Sequence, residues 1–203
     1  MNSKHSQKLP ENFYQQDALH VAEKLPGKYL VRRFNQKYLA GKIVEVEAYT
    51  EKDDEASHSF NGITKRNELM FASGGKLYVY FIYGNHFCCN VVCDKEGIGS
   101  AVLIRALEPV EGIDLMAQRR FLKNEVTRKE LLNLTNGPGK ICKAFGISKL
   151  ENGTDLCGND IFITEGEKVS KKNIVCTSRI GIKKSIDLPW RFYIKDNPFI
   201  SKK

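Results

Sequence analysis

Between Ile43 and Asn90 the chain concentrates side chains that can do chemistry. Glu45 and Glu47 stand two residues apart, Tyr49, Tyr78, Tyr80 and Tyr83 follow, and His58, His86 and the pair Arg66-Asn67 lie among them. The run IVEVEAY from Ile43 to Tyr49 alternates with the period of a half-buried strand, which sends Val44, Val46 and Ala48 to one face and Glu45, Glu47 and Tyr49 to the other. Two carboxylates then share a face, about 7 Å apart at Cα. In a dry site such a pair raises at least one proton affinity, the condition for a general base. On an open sheet face the same alternation is only a solvated edge strand.

The second chemical stretch is a hairpin. Lys76 to Ile82 and His86 to Cys93 are rich in aromatic, β-branched and Cys residues, and Gly84-Asn85 between them is a two-residue turn signal. Tyr83 and His86 flank the expected tip. A tyrosine there either covers the hairpin end or projects as a ring able to wedge between stacked bases.

The strings IVEVEAYTEKDDEASHS, LYVYFIYG, FCCN and AVLIRALEP resemble the alkyladenine (3-methyladenine) DNA glycosylase family, also called the methylpurine glycosylases. The similarity is densest from Gly41 to Glu111. It continues through NGPGKICKAFGI at 136–147 and RIGI at 179–182 to PWRFYIKDNPFIS near the C-terminus, so nearly the whole chain is covered.

The resemblance implies a monofunctional DNA glycosylase. Such an enzyme flips alkylated or deaminated purines out of double-stranded DNA and hydrolyses the N-glycosidic bond with a Glu-activated water, which initiates base excision repair. Matched residue by residue, the general base falls on Glu47, and the rings that sandwich the extruded base fall on Tyr49, Tyr80 and His58. The intercalating residue falls on Tyr83. An Asn that crowds the amino group of guanine and an Arg that holds the flipped nucleotide fall on Asn90 and Arg105. Relative to mammalian members, the loop between His58 and Arg66 is one residue shorter, and Asn85-His86 replaces a more apolar pair. If Tyr80 and Tyr83 both meet DNA, a bulge or strong twist is expected between them, because a regular strand points them to opposite faces.

The elements that must position these residues read as a mixed α+β fold, a largely antiparallel curved sheet with flanking helices and a projecting β-hairpin. At 203 residues the chain is long enough for a substantial core. A disordered tail is expected over 1–12 and a single domain over 13–203. Asp17 is placed to cap a helix carrying Ala18, Leu19, Ala22 and Leu25, and Pro26-Gly27 ends it. Strands are expected over Tyr29–Arg33 and Tyr38–Ala48. The polar connection 50–75, which carries His58 and Arg66, is too long for a simple hairpin loop. A strand from Ala101 to Leu107 leads to a helix over 109–122 with Ile113, Met116, Ala117 and Phe121 inward. Thr127 and Glu130 form a capping-box pattern, a further helix follows Gly137-Pro138-Gly139, and strands return at 161–164, 173–182 and 190–194.

Composition narrows the partners. Lys and Arg total 32 against 24 Asp and Glu, a formal charge of +8, which favours an acidic partner such as nucleic acid. The basic residues are dispersed, so they suit a broad surface facing a DNA backbone. Cys88, Cys89, Cys93, Cys142, Cys157 and Cys176 show no paired CxxC spacing, so no metal and no cofactor is expected. No apolar run approaches a membrane span and no signal peptide is evident. The expectation is an intracellular monomer, in cytoplasm or nucleoid if bacterial and in the nucleus if eukaryotic. Three alternatives stand beside it, of which a structural or partner-binding protein would show no salt-dependent DNA affinity. Gly137-Pro138-Gly139-Lys140 has the form of a helix-hairpin-helix turn with Asp155 or Asp160 downstream, although the all-helical pattern of that fold is missing. A non-catalytic nucleic-acid binding module accounts for the charge and the aromatics but gives no role to Glu47.

Overall fold

In the computed structural model, which describes residues 7–202, the alternating run becomes the axis of the sheet. Tyr29–Phe34 (β1) and Lys37–Tyr49 (β2) pair as an antiparallel hairpin whose turn holds Asn35 at φ 55°, the left-handed region that Asn tolerates. Beyond β1, strand β2 pairs along one edge with Ala101–Glu111 (β5). Over Glu45 to Glu47 its other edge receives Arg191–Ile194 (β8). Both edges are therefore covered where the two glutamates sit, so the open edge strand is not what forms.

Leu77–Ile82 (β3) and His86–Val92 (β4) extend the sheet from β5, Ile161–Thr164 (β6) lies beside β1, and Ile174–Thr177 (β7) pairs with β8. The main path runs β3-β4-β5-β2-β1-β6, antiparallel throughout. Helices Glu11–Tyr14 (α1), Ala18–Lys24 (α2), Ile113–Phe121 (α3), Arg128–Asn133 (α4) and Pro138–Phe145 (α5) flank it, giving the expected α+β architecture. The Asp17 side chain accepts from the backbone N–H groups of Leu19 and His20, and Thr127 and Glu130 cap α4 reciprocally.

Local physics overrode the sequence pattern in four places. Strand β5 runs through Pro109, which sits opposite Gly41 where the register shifts, and bulges accept a residue with no N–H. Helix α3 therefore starts at Ile113, after Gly112 turns the chain at φ 75°. Val44 lies at a second register shift and joins Ala106, Phe199 and Ile200 in a separate cluster, while Val46 and Ala48 enter the main core. Strand β7 ends at Thr177, and residues 178–190 form a loop. Of the tail expected over 1–12, residues 1–6 lie outside the described residues. Leu9, however, is buried and bonded through its N–H to Ile163 O. Burying a leucine contributes about 1.5–3 kcal/mol, and the backbone bonds Leu9 N to Ile163 O and Glu165 N to Gln7 O join that segment to β6 and the residue after it.

Candidate active site

The paired carboxylates are both completely buried, and their partners separate them into two kinds. Glu45 Oε1 accepts from Arg191 Nε at 2.7 Å, Arg105 Nε at 3.3 Å and Ser201 Oγ at 2.9 Å, and its Oε2 accepts from Ser201 N at 2.5 Å. It ties the C-terminal segment to the sheet. Glu47 is less crowded. Its Oε1 accepts from Ile180 N at 2.7 Å, and its Oε2 from Tyr49 Oη at 2.8 Å and Arg105 Nη1 at 3.3 Å. A carboxylate has about four acceptor positions, so one remains. Arg105 bridges the two glutamates.

Tyr49, Arg105 and Ile180, the three groups that hold Glu47, line a cavity of about 350 Å³. His58, Tyr80, Asn90 and Tyr83 line it too. Every side chain matched by the resemblance thus borders this cavity except Glu47, which lies one layer behind it. A larger hollow of about 480 Å³ beside Lys24, Pro26 and Glu165–Lys171 has charged and aliphatic walls without an aromatic ring. Size alone does not identify the site.

The aromatic wall has a definite arrangement. The His58 and Tyr80 rings meet edge to face, centroids 4.6 Å apart at 73°. A base cannot enter between them, so the two form one platform and Tyr49 is the separate ring. Tyr78 supports the platform: its hydroxyl shares a hydrogen bond with His58 Nδ1 at 3.1 Å, and its ring lies 5.5 Å from Tyr80. Asn67 fixes the loop by donating to His58 O at 2.6 Å and Gly62 O at 2.9 Å. Asn90 donates Nδ2 to Tyr78 O across the β3–β4 pair at 3.1 Å.

Burial, and then the nearby Arg66 charge, lower the proton affinity of His58, which favours the neutral imidazole. Burial raises the Tyr49 and Tyr80 phenols and pushes the Cys88 thiol up to about 11, so these groups keep their protons at neutral pH. The wall therefore offers neutral rings to a planar ligand, and the charge of Arg105 is met by Glu45 and Glu47.

Tyr83 occupies the tip. The β3–β4 register is unbroken from Leu77 opposite Val91 to Ile82 opposite His86, so of the two expected devices, a bulge or a strong twist, no bulge separates Tyr80 from Tyr83. The turn instead takes three residues, Tyr83-Gly84-Asn85, with Tyr83 itself at φ 54° and Gly84 at φ 69°. A left-handed tyrosine is uncommon. It carries the ring to the cavity mouth with 79% of its surface exposed, so the ring does not cap the hairpin core.

Three contributors escaped the sequence reading. Tyr78 was legible, since it lies two residues before Tyr80 and shares its face. Arg179 and Ile180 stand in the RIGI string, but no local pattern links residue 180 to Glu47. The rival acids lie elsewhere: Asp155 pairs with Lys76 at 3.4 Å and Asp160 with Arg33 at 3.0 Å, and neither lines the cavity. Lys140, in the glycine-rich turn at the start of α5, is tied to Asn133 and Asn136. Among the described residues no group of His, Cys, Asp and Glu side chains has a metal-binding arrangement, and no helix is long and apolar enough to cross a membrane.

Comparison with known proteins identifies the relatives of the chain. The sequence profile described as Methylpurine-DNA glycosylase (MPG) matches residues 12–198. A protein of Alkaliphilus oremlandii bearing the name 3-methyladenine DNA glycosylase is 50% identical over 202 residues, spanning 97% of this chain and all of the relative. A protein of the same name from Carboxydothermus hydrogenoformans is 50% identical over 196 residues, 96% of this chain and 99% of the relative. Another, from Desulfitobacterium hafniense, is 45% identical over 202 residues, 97% and 99% of the two chains.

Proposed function

The chain belongs to the methylpurine-DNA glycosylase family, and on that footing we propose that it extrudes alkylated or deaminated purines from duplex DNA into the Tyr49–His58–Tyr80 cavity and hydrolyses their glycosidic bond with a water activated by Glu47. At the coarser level it is a hydrolytic DNA N-glycosylase of DNA repair, and its substrate is DNA. The observation that carries the finer reading is the aromatic cavity beside a fully buried carboxylate that keeps one acceptor position free.

A stacked purine reaches no such cavity until its nucleotide is turned out of the helix. Damage that weakens pairing lowers the cost of that step, and damage that makes the ring electron-poor favours stacking and weakens the bond to the sugar. With the base held between Tyr49 and the His58–Tyr80 platform, C1′ faces the wall formed by Tyr49, Arg105 and Ile180. Glu47 has no surface of its own there, so the water reaches it through that wall, at the acceptor position that Ile180, Tyr49 and Arg105 leave open. The water oxygen bonds C1′, its proton passes to Glu47, and the electron pair of the C1′–N bond leaves with the purine. The Glu47 charge steadies the cationic sugar meanwhile. No lysine borders the cavity among the described residues, which supports water as the nucleophile and an abasic site as the product.

Incubating the purified protein with alkylated DNA tests this directly. Free 3-methyladenine and 7-methylguanine are expected, and salt-dependent DNA binding without any base release would favour the binding-module alternative.

Tyr83→Ser is expected to slow single-turnover excision from duplex DNA about 10–100-fold. The wedge offsets an unstacking cost of a few kcal/mol, and each 1.36 kcal/mol is a factor of ten. Stability should stay within about 0.5 kcal/mol, as for surface positions generally. An early melt, or unaltered duplex excision, would assign the ring to the hairpin instead. Asn90→Ser shortens a side chain that lines the cavity and is anchored on Tyr78 O. Release of normal guanine should rise about tenfold, the lower range for pocket-shape discrimination. Guanine release at the wild-type level, with damaged-base excision intact, would reduce Asn90 to a cross-strand tie.

A further inference from the structure

Arg179 and Asp54 stay out of the cavity wall yet touch the parts that make it. The Arg179 guanidinium is wholly buried and meets the equally buried Asp54 carboxylate through two 2.6 Å bonds, Nη1 to Oδ2 and Nη2 to Oδ1. Nη1 also donates to Ala48 O at 3.0 Å, between Glu47 and Tyr49. The guanidinium carbon lies 4.5 Å from the centroid of the Tyr49 ring and 5.3 Å from that of Trp190. The next residue in the chain donates its N–H to Glu47. Asp54 is aimed by the N–H groups of Thr50 and Ala56 within the loop after β2, and its bonds from Arg179 join that loop to the 178–190 loop.

Stability is a weak reason for such a pair. Taking two charges out of water is costly, apolar residues often fill the same space without loss, and Arg179 Nε is left with no partner. What the planar fork does supply is a fixed plate, two-pronged on a carboxylate and stacked on a ring, that lysine cannot imitate. We propose that Arg179, locked by Asp54, is a positioning residue for the hydrolysis: it backs the Tyr49 ring and sets the Ile180 N–H that aims Glu47. This rests on the function proposed above.

Two variants test it. Arg179→Lys keeps the charge and loses the fork, and Asp54→Asn with Arg179→Met makes the pair neutral, so no uncompensated charge is left buried. At temperatures well below their melting midpoints, single-turnover excision of ethenoadenine is expected to fall about 100-fold, the scale of a 1 Å misplacement at a reacting centre. Affinity for an uncleavable abasic duplex should be unchanged, and amide exchange at Ile180 in the free protein should accelerate relative to the sheet. The inference is overturned if the folded double variant excises at the wild-type rate, if Ile180 exchange is unaltered, or if lost excision only follows the unfolded fraction. Exchange at Ile180 is read without DNA, so the positioning role is decided even if the wild-type protein releases no base. That last outcome would overturn the proposed function instead.

Discussion

Replacing Glu47 with glutamine is expected to lower single-turnover excision of hypoxanthine or ethenoadenine from a duplex by about 10²–10⁴-fold, the usual contribution of a general base, while affinity for an uncleavable abasic analogue survives. The substitution keeps the size of the side chain and removes both its basicity and its charge. An amide also cannot reproduce the contacts of the carboxylate, in which one oxygen accepts from Ile180 N and the other from Tyr49 Oη and Arg105 Nη1. Whichever way it flips, an NH₂ group faces a donor. Rates must therefore be compared for the folded fraction, taken from a melt in the same buffer. A factor of 10²–10⁴ corresponds to about 2.7–5.4 kcal/mol of barrier, and its upper part exceeds the roughly 1–3 kcal/mol that one unmatched buried hydrogen bond supplies. Near-wild-type chemistry in Glu47→Gln would remove the base from the mechanism and leave the buried carboxylate a structural anchor.

The two glutamates also show what a sequence can and cannot reveal. Alternation placed Glu45, Glu47 and Tyr49 on one face, and the hairpin and the helix caps at Asp17 and Thr127 were legible because each is decided by a few neighbouring residues. Whether that face was wet or dry was not legible, because strand β8, which covers the edge of β2 there, lies more than 140 residues away. Separations of 125–133 residues from their partners likewise hide Ile180 and Arg179 from any local pattern. The bulges at Val44 and at Val110, beside Pro109, were missed for a different reason: a register shift belongs to a pair of strands, and one strand's alternation carries no trace of its partner. The tip was misread as a two-residue turn because Gly and Asn are the usual left-handed residues, whereas Tyr83 takes that conformation itself.

Glu45→Gln should fail in the opposite way from Glu47→Gln: the fold should weaken by about 3–5 kcal/mol, the cost of removing one partner from a buried ion pair. Glu45 receives two buried arginines and the backbone and hydroxyl of Ser201. With the glutamine carbonyl turned toward Arg105 and Arg191, its NH₂ faces Ser201 N. Turned the other way, it faces both guanidinium groups. Either choice loosens the C-terminal segment, whose Phe199 and Ile200 pack against Val44 and Ala106. Domains are commonly stable by only 5–15 kcal/mol, so the loss should be plain as an earlier midpoint in denaturant unfolding. Excision by the folded fraction, measured in the cold at saturating enzyme, should fall far less than in Glu47→Gln, because Glu47 retains Tyr49 and Ile180 as donors and is disturbed only through Arg105. An unfolding midpoint equal to wild type, combined with a collapse of excision matching that of Glu47→Gln, would move the general base two residues back along β2.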